Sequence, residues 1–234
     1  MAQRRECFTR ARRPDEIAQR QEEIVSAAAA LLDSEALDKI SLNAIAREAG
    51  LAKSAVYRYF ESREAIFLRI LEQDWRQWLE QVEAALAPLA GSDDPAAVAR
   101  ALTSATVAQP RLCRLVSALS SVLEQNLSED VVLGFKQESL TLATRMMEAL
   151  HSALPSIPMN QWLDFANPAI ALIAGLWPLS HPSETVRKVM ARPEFAPFQP
   201  DFEQQLQRTL TLTLRGLLEQ SRNGETDPLD SSLP

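Results

Sequence analysis

Lys53, Ser54, Tyr57, Arg58, Tyr59 and Arg63 crowd a single short stretch, and Ser41 lies just before it. Ammonium and guanidinium groups pair with phosphate oxygens, while hydroxyls and a tyrosine ring can address both the backbone and the base edges of a nucleic acid. Ser41 adds a hydroxyl at a helix start, where unpaired backbone N–H groups favour an anion. Nothing comparable points to catalysis. The chain has no G-x-S-x-G, no phosphate-cradling glycine loop and no dinucleotide fingerprint. Its two histidines, His151 and His181, lack the spacing to carboxylates or cysteines that recruits zinc. No catalytic residue, metal or cofactor is expected, and the protein does not read as an enzyme.

These side chains need rigid elements beneath them. Leu42, Ile45, Ala46 and Ala49 fall at i, i+3, i+4 and i+7, the apolar face of a two-turn helix. Ser41 is placed to cap it, and Gly50 to end it in the left-handed conformation that costs glycine nothing. Leu51 turns back toward a core. Val56 and Phe60 form the apolar i, i+4 pair of a second short helix, with Lys53/Tyr57 and Ser54/Arg58 on its other side. Ser62 is the N-cap of a third. A short helix, a glycine turn and a second short helix make a helix-turn-helix, whose second helix reads the major groove.

The stretch resembles the DNA-binding domain of the TetR family of bacterial transcriptional regulators. The resemblance rests on Ser41, Ile45-Ala46, Ala49-Gly50-Leu51, Lys53-Ser54, Tyr57-Arg58-Tyr59-Phe60 and Ser62-Arg63-Glu64, in order and without a gap. It implies that Ser41 bonds a phosphate and that Lys53, Ser54 and Tyr57 form the reading surface. Tyr59 and Arg63 would grip phosphates at the next helix junction, and Arg58 could do either job. The alternative for each is a solvated helix surface, or a half-buried ring for the tyrosines. With the helix before it, the motif covers residues 14–70.

Charge is distributed to match. The net charge is -7; residues 1–70 hold 12 basic and 11 acidic side chains, and residues 71–234 hold 12 and 20, so +1 and -8. The acid excess lies outside the proposed DNA face. Residues 1–13 carry five arginines and one glutamate. They read as a flexible basic arm, either a phosphate or minor-groove contact or a tail without a role. No apolar h-region follows, so no secretion signal is expected. The longest apolar run, 169–179, falls short of the ~20 residues of a membrane span. Two cysteines, Cys7 and Cys113, fit a reduced cytoplasm rather than a disulfide.

The remainder reads as helix throughout, giving an all-α chain: a helix-turn-helix head, a larger helical body over residues 71–221, and a disordered tail over 222–234. Helices are expected at 14–33, from Ser62 to about Leu86, at 95–108, 110–125 and 128–154, at 168–177 behind an Asn167-Pro168 cap, and at 201–220. Residues 193–200 read as a proline-rich loop.

By the resemblance, the body holds a pocket for a small apolar or aromatic effector and makes a homodimer on a palindromic operator. Wall candidates are Trp75, Trp78, Phe135, Met146, Met147, Trp162, Phe165 and Trp177, each of which could equally be plain core. Residues 168–179 and 201–220 stand where the family's dimer helices lie; intramolecular core is the alternative for them too. A repressor is the expected form. An activator of the same fold, or a helical DNA-binding adaptor without sequence choice, is the rival.

Overall fold

The computed structural model describes residues 14–125 and 127–223. The expected basic arm (1–13) and residues 224–234 of the expected tail lie outside the described residues. Among the described residues every regular element is helical. The chain divides into two compact units, Met1–Ile70 and Leu71–Pro234.

In the first unit, α1 (Pro14–Ser34) opens with Pro14, Asp15 and Glu16, which suit a helix start. Its buried face is Ile24, Val25, Ala28 and Leu32, whereas Ile17, the first residue of its heptad pattern, is exposed. α2 (Leu42–Glu48) buries Leu42, Ile45 and Ala46. The Ser41 hydroxyl accepts from the Ala44 backbone N–H at 3.2 Å, and Gly50 has φ +66°. α3 is only Lys53–Val56. The chain continues past it in tightened turns, with Arg58 N–H on Ala55 O and Tyr59 N–H on Val56 O. α4 (Arg63–Leu86) starts in this unit, where Ile66, Phe67 and Ile70 are buried, and continues in the second.

In the second unit, α4 is followed by α5 (Pro95–Val107), α6 (Pro110–Ala118), α7 (Glu129–Ala153), α8 (Trp162–Ser180), α9 (Glu184–Met190) and α10 (Phe202–Asn223). Arg222 and Asn223 are therefore helix, not tail. A π-type turn, Leu119–Leu123, finishes α6. Residues 193–198 form a 3-10 turn within the expected loop. Two ion pairs join α4 to α7: Arg145 to Glu83 with two bonds, and Arg76 to Glu138 at 2.7 Å. A third, Asp74 to Arg111, joins α4 to α6. It is bidentate at 2.8 and 2.7 Å, and Asp74 is 2% exposed.

The structure corrects the reading of Asn167-Pro168 as a helix start. α8 runs unbroken through Pro168 and again through Pro178. An interior proline costs about 3 kcal/mol. Against it stand Trp162, Phe165 and Ala166, all buried and on one face with Ala169, Ile170 and Ile173. Burying one large apolar side chain is worth about 1.5–3 kcal/mol, so one continuous helix wins. With the preceding turn, the segment Met159–Ser180 spans 22 residues and is long and apolar enough to cross a membrane by length and composition alone, contrary to the expectation from the shorter run. Its inner face lines a protein interior, described next.

The apolar stripe of α10 also has a definite place. Phe202, Leu206, Leu210, Leu214 and Leu217 are buried within the protomer, where α10 packs on α5 and α8.

Candidate nucleic-acid interface and effector cavity

In the first unit Val56 is fully buried and anchors the recognition segment. That leaves Lys53, Ser54, Tyr57 and Arg58 exposed. Tyr57 is 52% exposed, and the Lys53 ammonium lies 5.8 Å from its centroid. Ser41 is exposed; its oxygen caps α2, and its own O–H has no acceptor among the described residues. Tyr59 is half-buried, and its backbone carbonyl accepts from Gln21 Nε2 at 3.4 Å. Arg63 is more committed. Its Nη1 donates to Ile40 O and its Nε to Glu64, both at 2.8 Å, over the face of Phe67. Only its remaining N–H groups are available to a phosphate. The structure thus puts Lys53, Ser54, Tyr57 and Arg58 together on one short segment and ties Arg63 to the residue just before Ser41.

In the second unit, a cavity of about 50 Å³ lies among α4, α5, α6, α7, α8 and α10. Of the wall candidates, Trp75, Trp78, Met146 and Phe165 line it. Trp162 does not; it is fully buried behind Phe165, edge-on at 6.0 Å. Phe135 and Met147 lie outside the lining, and Trp177 lines a separate surface groove. The remaining walls were not foreseen: Leu102 and Thr106 from α5, Leu112 and Val116 from α6, Ala166, Ala169, Ile170 and Ile173 from α8, and Leu210 from α10. For α8 a signal was present, since 162, 165, 166, 169, 170 and 173 keep a helical period across Pro168.

Three of the polar groups on the cavity wall are paired with one another or with the backbone. Trp78 Nε1 donates to Thr106 Oγ1 at 3.1 Å, and that hydroxyl donates to Leu102 O at 2.8 Å. Cys113 Sγ lies 3.5 Å from Thr106 O. Burial pushes the Cys113 thiol up to about 12, against a smaller opposing effect of a backbone hydrogen bond. The thiol is neutral at physiological pH, too inert for a redox sensor. The site can enclose an apolar group and little else. Ligand pockets usually measure about 300–1,000 Å³, so this one has to widen to hold a molecule.

Residues 24–70 match the family model described as "Bacterial regulatory proteins, tetR family", and residues 72–221 match "Tetracyclin repressor-like, C-terminal domain". No curated protein matches the chain. Among solved structures, a TetR-family transcriptional regulator from Streptomyces coelicolor A3(2) is 19% identical with a TM-score of 0.53, covering 88% of this chain and 100% of that one. A transcriptional regulator from Pseudomonas aeruginosa PAO1 is 16% identical with a TM-score of 0.53, covering 92% and 97%. One from Rhodococcus sp. Rha1 is 18% identical with a TM-score of 0.51, covering 85% and 96%. At these identities the structures speak to the fold, and the family matches speak to descent. With both halves of the chain matched in order, the protein belongs to the TetR family of bacterial transcriptional regulators.

Proposed function

We propose that the protein is a cytoplasmic, ligand-responsive repressor that binds a palindromic operator as a homodimer and is released by a small apolar or aromatic molecule. Lys53, Ser54 and Tyr57 read base edges; Ser41, Tyr59 and Arg63 hold phosphates; Arg58 serves either purpose. The observation that carries this reading is the exposure of a tyrosine ring among unpaired cationic and hydroxyl groups on a segment pinned by Val56.

Dimerisation is assigned to the outward face of α8. Leu163, Asn167, Ala171, Ala174 and Pro178 follow one another at helical spacing on the side away from the cavity. Only Trp162, Phe165 and Ala166 of α8 are buried, and Leu163 and Leu179 are more than half exposed. From α10 comes Leu212, 59% exposed, rather than the buried stripe. A two-fold pair of heads then meets two half-sites. Effector binding widens the cavity and favours a pose in which the heads no longer match the operator.

Selection and sequencing of genomic fragments bound by the protein tests the reading and yields the operator. Palindromic sites are the expected result. Tyr57→Ala should weaken operator binding about tenfold, as loss of one good base contact does, and weaken random DNA less; equal losses would remove Tyr57 from base readout. Fragments without a common sequence would favour a non-specific DNA-binding protein. Ala171→Glu should give a monomer with poor operator affinity, and a persistent dimer would move the interface elsewhere.

A further inference from the structure

We propose that the cavity is the apolar half of a longer effector site whose polar half, the groove beside Trp177, selects a lipophilic cation. The proposal rests on the reading of the cavity as an effector site and adds the charge of the ligand.

The groove encloses about 410 Å³. Three stretches of chain contribute walls to both groove and cavity. On α8, Trp177 in the groove is one turn beyond Ile173 in the cavity. At the junction of α5 and α6, Val107 and Pro110 line the groove while Thr106 and Leu112 line the cavity. On α10, Phe202 and Leu210 belong to groove and cavity respectively, with fully buried Leu206 between them in the helix.

Its chemistry is the opposite of the cavity's. Trp177 stacks on His181 at 3.7 Å, and Phe202 meets the tryptophan edge-on at 5.1 Å. Asp201 and Glu203 flank Phe202 on the same lining, and no lysine or arginine lines it. One Asp201 oxygen caps α10 by accepting from Gln204 N–H at 2.7 Å; the other is uncommitted. The Ser180 hydroxyl oxygen is buried without a hydrogen-bond partner, an arrangement folding alone does not favour. Aromatic faces with carboxylates at their rim suit an organic ammonium, which gains from the ring quadrupole and from the acids together. A carboxylate ligand would meet like charges with no lysine or arginine on the lining to offset them. The surplus of acid over residues 71–234 draws cations from further out. The cavity, walled almost wholly by apolar side chains and holding no charged one, suits the uncharged tail.

Three probes of equal chain length separate the terms: octyltrimethylammonium, octanol and octanoate, each titrated calorimetrically below its micellar range against the full chain. The cation should bind about tenfold tighter than the alcohol, the size of one added charge contact, and octanoate should bind weakest. Asp201→Asn with Glu203→Gln, which keeps the cap, should bring the cation within about twofold of the alcohol, on the scale where tenfold is about 1.4 kcal/mol. Equal binding of cation and alcohol, a preference for octanoate, or a preference that survives the double variant overturns the proposal. Ala169→Leu, or Val116→Phe if the first does not fold by circular dichroism, fills the cavity and should weaken all three probes. If the probes bind without charge preference and the filled cavity rejects them, the cavity reading stands and the cation falls. If no probe binds, or the filled cavity binds them all the same, both fall.

Discussion

In the recognition segment, the side chains of Ser54, Tyr57 and Arg58 stand in solvent with no side-chain hydrogen bond or ion pair among the described residues, and the Lys53 ammonium faces the Tyr57 ring. In the cavity, Trp78 Nε1, Thr106 and Cys113 are buried and bonded within the protein. The first surface keeps its polar capacity for a partner that brings charge and directional groups. The second has committed these groups within the protein and offers mainly shape and apolar area. A polyanion held in water is bought with exposed cations, because each contact releases counterions. An apolar effector is held by removing surface from water, and an unpaired donor in that wall would cost more than it returned. Substitutions in the two regions should therefore fail differently: stability first in the body, DNA affinity first in the head.

The widest separation is expected between two arginines. Arg111→Met leaves the Asp74 carboxylate, 2% exposed, without its bidentate partner. Loss of one member of such a buried pair costs roughly 3–5 kcal/mol, seen as a lowered urea midpoint. Arg58→Ala, on an exposed and unpaired guanidinium, should change stability by less than about 0.5 kcal/mol while weakening DNA. Comparable unfolding midpoints for the two variants would erase the distinction. Thr106→Val comes next. It keeps the shape and removes the acceptor of Trp78 Nε1, leaving a buried donor unpaired at a cost of about 1–3 kcal/mol. A neutral result would mean that water or an alternative acceptor already serves the indole.

The same contrast explains what the sequence disclosed. The head is built from local rules. Ser41 caps because of its hydroxyl, Gly50 turns because it lacks a Cβ, and Val56 anchors because its face is apolar. Each inference needs only a few neighbouring residues, and each is visible as a residue type. The cavity is a meeting of six helix faces, and its walls include Ala166 and Ala169, whose type says nothing by itself. Aromatic side chains were a fair guide there but not a sufficient one. Phe135, Met147 and Trp162 pack elsewhere, while Trp177 belongs to the neighbouring groove. Pro168 misled for a related reason. The strongest local breaker signal in the body was overridden by a buried stripe that runs through it, and weighing that stripe required knowing what it packs against. Arg63 shows the limit inside the head: its type suggests a phosphate contact, yet its bonds to Ile40 O and Glu64 give it structural work that no motif reveals.

Gly50→Ala tests the local half of this argument. A Cβ at Gly50 would meet nothing within 4 Å, so the cost is conformational alone. At φ +66° it should be about 1–2 kcal/mol. Gly50→Asn should recover part of it, since asparagine tolerates that region better. Equal penalties for alanine and asparagine would point to the backbone shifting rather than to the left-handed geometry.

The smallest effect probes how dry the cavity is. The Cys113 thiol is raised by burial from 9.0 to about 12. Below pH 9 both folded and unfolded chains carry the neutral thiol, and its contribution to stability is fully present. As pH rises above 9 the unfolded chain ionises while the folded one does not, so that contribution is lost progressively toward pH 12. Stability should therefore fall more steeply with pH in the wild type than in Cys113→Ala, by at most about 1.4 kcal/mol per unit and by less near pH 9.5. Comparing the two chains by urea unfolding at pH 8.0, 9.0 and 10.0 removes the contribution of other titrating groups, including Cys7, which both retain. Parallel slopes would mean that the thiol ionises in the folded protein as readily as in water. The cavity would then be wet, and a wall with bound water would no longer discriminate against polar effectors as the recognition segment's opposite should.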